Sequence, residues 1–112
     1  MKEKYYRLCR EHKSGKRIII DGYGNKYTDK YGFTYHAEKI GGIWYITDDA
    51  TGALVNSAND KIKTAAGIGL IISERADIVK PLRSKLIPEF NAVLAEFVKN
   101  GGNRVYDVEE SS

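Results

Sequence analysis

Hydrophobic and polar positions change their rhythm near Asn59. Before it, β-branched and aromatic residues run in short stretches cut by glycine. After it, apolar residues return every three or four positions. The first rhythm belongs to half-buried strands and the second to amphipathic helix. Strands are predicted from Lys4 to Arg10 and from Lys16 to Asp21, the second centred on Ile18-Ile19-Ile20, with another short one starting over Lys26 to Thr28. Between the last two, Asp21-Gly22-Tyr23-Gly24-Asn25 reads as a glycine-rich turn. Phe33 to Ile40, Gly41-Gly42 and Ile43 to Thr47 read as a hairpin, because a Gly-Gly pair accepts the positive φ that a two-residue type I′ turn requires. Asp48 to Gly52 forms the next turn and leads into Ala53-Leu54-Val55.

Past Asn59, residues Ile62, Ala65, Ala66 and Gly69 have helical spacing, with Asn59 or Asp60 as a cap. Gly67 and Gly69 oppose a helix there, each by about 1 kcal/mol relative to alanine. The stretch 64–73 is therefore open between helix and buried strand. Ser73 to Lys85 reads as partly helical around Pro81. A final helix begins near Pro88, carries Phe90, Val93, Leu94, Phe97 and Val98 as one stripe, and ends at Gly101-Gly102. Arg104 to Val108 alternates like a closing strand. The expected fold is α+β: an antiparallel meander of about five to six strands packed against one or two C-terminal helices, with a short closing strand. Phe90, Leu94 and Phe97 are expected against the sheet face that carries Trp44 and Ile46, which makes Trp44 a core residue.

At 112 residues the chain matches the commonest size of one domain. A single domain over 1–112 is expected, with a β-rich basic and aromatic half (1–56), a helical half (57–100) and a closing strand (103–108). Apolar residues at 42% and charged residues at 29% exclude disordered, collagen-like and coiled-coil classes. With one cysteine, Cys9, neither an internal disulfide nor a cysteine-based zinc site can form. The charged opening lacks the apolar core of a secretory signal, and no apolar run is long enough to cross a bilayer. The expected location is cytoplasmic, without a membrane partner.

Charge is unevenly spread. Residues 1–40 hold ten Lys/Arg against five Asp/Glu, whereas 41–112 hold eight against ten. Seven of the eight tyrosines and the only tryptophan fall in the first 45 residues. Tyrosine beside lysine and arginine suits two kinds of partner. It supplies contact area and directed hydrogen bonds to a protein, or it stacks bases while cations hold phosphates. The candidate partner-binding residues are Arg7, Arg10, Lys16, Arg17, Tyr23, Lys26, Tyr27, Lys30, Tyr31 and Tyr35.

Signals for catalysis are weak. Cys9 lies within a strand pattern, and neither His12 nor His36 has a sequence signature that pairs it with a nucleophile. The adjacent acids Asp48-Asp49 and Glu109-Glu110 point to opposite faces if extended, and no metal-ligand spacing occurs, so no metal is expected. Gly67-Ile68-Gly69 lacks the third glycine of a dinucleotide fingerprint, and Ser14-Gly15-Lys16-Arg17 departs from a phosphate loop, so no cofactor is expected either. In its short, tyrosine-rich, motif-free character the chain is generally similar to accessory proteins carried by phages and mobile elements of low-GC bacteria. Many of those are stoichiometric inhibitors of host defence systems. The resemblance implies a non-catalytic, anti-CRISPR-like protein that occupies a partner's surface, most simply another protein. The alternative is a small nucleic-acid-binding module using the basic, tyrosine-rich sheet face, and a small nuclease using His36 or His12 is a minor third reading.

Overall fold

Short connections turn each strand back beside the one before it. In the computed structural model, which describes residues 1–102, the elements are β1 (Lys2–Arg10), β2 (Arg17–Thr28), β3 (Thr34–Ile40), β4 (Ile43–Asp48), a 3-10 turn (Ala58–Asp60) and α1 (Ala65–Lys99). The strands pair antiparallel in the order β1-β2-β3-β4. The architecture is α+β, a four-stranded antiparallel sheet packed against one C-terminal helix.

Each turn has a local cause. In the β1–β2 connection the Glu11 carboxylate accepts from the Lys13 and Ser14 amides at 3.0 and 3.1 Å. The Asp29 carboxylate does the same for Tyr31 and Phe33 at 2.9 and 3.1 Å before β3. Gly41 and Gly42 have φ of 58° and 82°, the conformation expected for the tight β3–β4 hairpin.

The strand count among the described residues is four rather than five to six, for two reasons. First, the expected turn at 21–25 is the interior of a single twelve-residue strand, β2. Its glycines make room for neighbours instead of reversing the chain. A Cβ on Gly24 would sit 2.6 Å from the Ala37 carbonyl oxygen, and one on Gly22 would lie 3.1 Å from the Tyr5 ring. Second, Ala53–Val55 forms no strand and makes one isolated bridge, Thr47 with Leu54. This segment still covers the outer edge of β4, with Ala53 and Ile46 carbonyls accepting from Asp48 and Val55 amides at 2.9 and 2.8 Å. The expected closing strand, 103–108, lies outside the described residues.

The C-terminal part is one 35-residue helix, the lower of the expected one or two, and it runs from Ala65 through Pro81 and Pro88 without a break. A proline inside a helix removes a hydrogen bond and costs about 3 kcal/mol. Both prolines sit on the exposed side, whereas Ile68, Ile72, Ala76, Arg83, Phe90 and Phe97 form the buried stripe. Burial of a large apolar side chain contributes about 1.5–3 kcal/mol, so a stripe on both sides of each proline outweighs the loss.

Alternation assigns one sheet face to this helix. Tyr35, Ala37 and Ile46 pack with Ile62, Ile68 and Ile72 of the helix approach and first turns, with Trp44 and Tyr27 partly buried beside them. Ile19 packs with Phe90 and Phe97 near the helix end, flanked by Tyr6, Leu8 and Leu94. Trp44 and Ile46 therefore face the helix as expected, but they meet its first half. Phe90 and Phe97 pack instead over β1 and β2. No helix among the described residues is long and apolar enough to cross a membrane.

Candidate functional site

Among the described residues the helix leaves the second sheet face uncovered, and a polar and aromatic cluster has formed there, folded in on itself so that Tyr5, His36 and Thr47 are only 5%, 7% and 0% exposed. Strand alternation and register put Glu3, Tyr5 and Arg7 of β1 on this face with Ile20 and Lys26 of β2, His36 and Glu38 of β3, and Tyr45 and Thr47 of β4. Because Gly22 has no side chain, the Tyr5 ring crosses over β2 to reach β3. There it stacks on His36, with centroids 5.8 Å apart and planes 7° apart, and its hydroxyl donates to Glu38 at 2.7 Å. Burial, followed by the Glu38 carboxylate, pushes the Tyr5 hydroxyl up to about 12.

His36 is held at both ring nitrogens. Nδ1 lies 2.7 Å from Asp49 Oδ1 and Nε2 lies 3.0 Å from Glu3 Oε1. Thr34 Oγ1 donates to the other Asp49 oxygen at 2.7 Å. A His–Asp contact of this kind serves acid–base chemistry when the far nitrogen faces substrate. Here the far nitrogen faces a second carboxylate, so the ring acts as a clasp between β1, β3 and the turn after β4. His12 is exposed in the β1–β2 connection.

Arg7 occupies the centre of the face. Its Nε donates to Thr47 Oγ1 at 2.9 Å, and its guanidinium lies 5.8 Å from the Tyr5 ring centroid and 5.9 Å from that of Tyr45. Nη2 is withdrawn from water and has no hydrogen-bond partner among the described residues. Beside this group Ile20 is 42% exposed, and Ile40, at the hairpin end of the same face, is 46% exposed.

The residues singled out from sequence do not converge on one surface. Arg7 and Lys26 belong to the uncovered face. Arg10 donates to the Gly15 carbonyl at 2.6 Å, and Lys16 is exposed in the same connection. Arg17 lies on the helix side, with Nε 2.7 Å from Glu89. Tyr23 is exposed at 58%, on the helix side of β2. Lys30 and Tyr31 both reach Asp77 of the helix, and Lys80 lies over the Tyr31 ring at 4.0 Å. Tyr27 is half-buried against the first core cluster. Tyr35 is wholly buried, which removes it from any contact surface. Its ring has the parity of the helix face, which the interval-of-four tyrosine pattern alone could not assign. Tyr5, Ile20, His36 and Tyr45, which complete the uncovered face, were legible only through the alternation of β1 and β4 and the β1–β2 register.

A second cluster is buried between helix and sheet. Arg83 Nη2 donates to Asp48 Oδ1 at 3.0 Å and to the Tyr35 hydroxyl at 2.9 Å, and that hydroxyl donates to Asp29 at 2.6 Å. Thr51 donates to Asp48 at 2.8 Å. Burial and the Asp29 carboxylate push the Tyr35 hydroxyl up to about 12. Burial opposes the charge on Asp29, but hydrogen bonds from Tyr35 and two backbone amides hold that carboxyl below its usual range. Among the described residues no group of three or more His, Cys, Asp or Glu is arranged to hold a metal ion. No family model matches the chain, and comparison with curated proteins and with solved structures gives no match.

Proposed function

We propose that this chain is a non-catalytic binding protein that acts by occupying the surface of a protein partner, an anti-defence inhibitor in the manner its sequence style implies, and that the uncovered sheet face makes the contact. The observation that carries this reading is Arg7, half-buried between Tyr5 and the half-buried Tyr45, with Ile20 exposed at its side. Tyrosine and arginine dominate interface energies because rigid area and directed donors come together in one side chain.

The same face carries Glu3, Glu38 and the Asp49 carboxylate, which repel a phosphate backbone and weigh against nucleic acid as the partner. The test is capture of partners from lysate of the source cell after nuclease treatment, with wild type, Arg7→Gln and Ile20→Asp in parallel. A discrete protein should be retained by wild type and lost, by about tenfold or more, with either variant of unchanged circular dichroism. Retention by both variants, or capture that nuclease abolishes, would overturn the reading.

A further inference from the structure

A different surface, on the flank of α1, has the chemistry of a self-complementary interface. Ile78 and Leu82 are 63% and 46% exposed there, and Leu54 stands opposite them at 43%. With Ala53, Val55, Val79 and Leu86 they line a groove of about 170 Å³ between the helix and the segment that covers β4; Arg75, also in its wall with Asp48 and Thr51, spends its charge on Asp60 and the Val55 carbonyl. Isolated exposed aliphatic residues are ordinary, but a contiguous row beside a groove marks a place where something docks.

The charges at the two ends of this row indicate what docks. Glu74, Ile78, Leu82 and Lys85 follow one another at spacings of four, four and three, which keeps them on one helical face. Read along the helix, the row runs acid, apolar, apolar, base. A second copy laid antiparallel reads base, apolar, apolar, acid. A two-fold axis near residue 80 then sets Ile78 against Leu82 of the other copy, and Glu74 within one residue of Lys85, at both ends at once. A parallel copy would set Glu74 beside Glu74 and Lys85 beside Lys85.

We infer that this flank is a homodimer interface in which two α1 helices pair antiparallel, each placing Ile78 and Leu82 into the other's groove beside Leu54. The inference does not depend on the sheet-face reading, since the two surfaces share no residue.

Sedimentation velocity over a wide concentration range tests it, with the purified chain alone. Wild type should move from monomer to twice the monomer mass as concentration rises, and Ile78→Asp should stay monomeric with unchanged helical circular dichroism. Glu74→Lys and Lys85→Glu should each weaken the dimer about threefold or more, and the double exchange should restore it, because the two ends trade signs together. A wild type that stays monomeric throughout, or a dimer that survives Ile78→Asp, would overturn the interface. Failure of the double exchange to restore association would overturn the antiparallel pairing.

Discussion

Arg83 and Asp48 form an ion pair withdrawn from water where the middle of the helix crosses the sheet, with relative exposures of 3% and 0%. The guanidinium also lies 3.6 Å from the Phe33 ring centroid, so an aromatic face helps to replace its lost hydration. Nη1 remains buried without a hydrogen-bond partner among the described residues. A buried pair adds little net stability over an apolar substitute, but removing one member strands the other. Arg83→Met should therefore destabilise the chain by about 3–5 kcal/mol by urea unfolding, because the Asp48 and Asp29 carboxylates keep their burial and lose their cation. Asp48→Asn combined with Arg83→Met should recover part of that loss. A single-variant change below about 1 kcal/mol, typical of surface sites, would show that the pair is open to water.

The two glycines of β2 should respond unequally to alanine. At Gly22 the new Cβ runs into the end of the Glu38 carboxylate and lies 3.1 Å from the Tyr5 ring. The end of a flexible side chain can move, so the expected cost is about 1–2 kcal/mol. At Gly24 the obstacle is the Ala37 backbone at 2.6 Å, which moves only with the sheet, and about 3 kcal/mol or more is expected. Denaturant unfolding gives the order. Gly22→Ala should also free the Tyr5 hydroxyl from Glu38, and its alkaline titration, followed by tyrosinate absorbance, should move down from about 12.

Acid stability should depend on Asp60. Arg75 donates to both of its oxygens at 2.7 and 3.0 Å, the Ser57 amide adds a bond at 2.7 Å, and these contacts hold the carboxyl down at about 2 against an ordinary 3.8. A carboxyl depressed in the folded state contributes its full stabilisation above its unfolded value and loses it as pH falls through the folded one. Between about 3.8 and about 2 the unfolded chain takes up a proton that the folded chain refuses, so stability falls with pH across that window. Asp60→Asn should flatten the slope there, measured as urea midpoint against pH. An unchanged slope would contradict the assignment.

These residues also show which parts of the fold were legible in sequence. The meander, the Gly41-Gly42 hairpin and the Trp44/Ile46 face follow from alternation and turn chemistry, which are local. Continuity of the helix does not, because Arg83 occupies a core position in an otherwise apolar stripe and Pro81 and Pro88 imply stops; only burial of the ion pair makes 76, 83, 90 and 97 one heptad-spaced row. Gly22 and Gly24 read as a turn because the space they leave is filled from β1 and β3, far away in sequence. The uneven charge was legible, but its use was not. Arg17, Lys30 and Arg83 turn to acids on or against the helix, and of the basic residues flagged, Arg7 sits in the aromatic centre of the open face.

Chemical-shift mapping of the labelled chain with its captured protein partner tests the central claim most directly. Binding through the uncovered sheet face should perturb Arg7, Ile20, Tyr45 and their strand neighbours, and Arg7→Gln should weaken affinity by about tenfold or more. Perturbations confined to the helix flank at 74–85 or to the β1–β2 connection, with Arg7→Gln binding as wild type does, would contradict it.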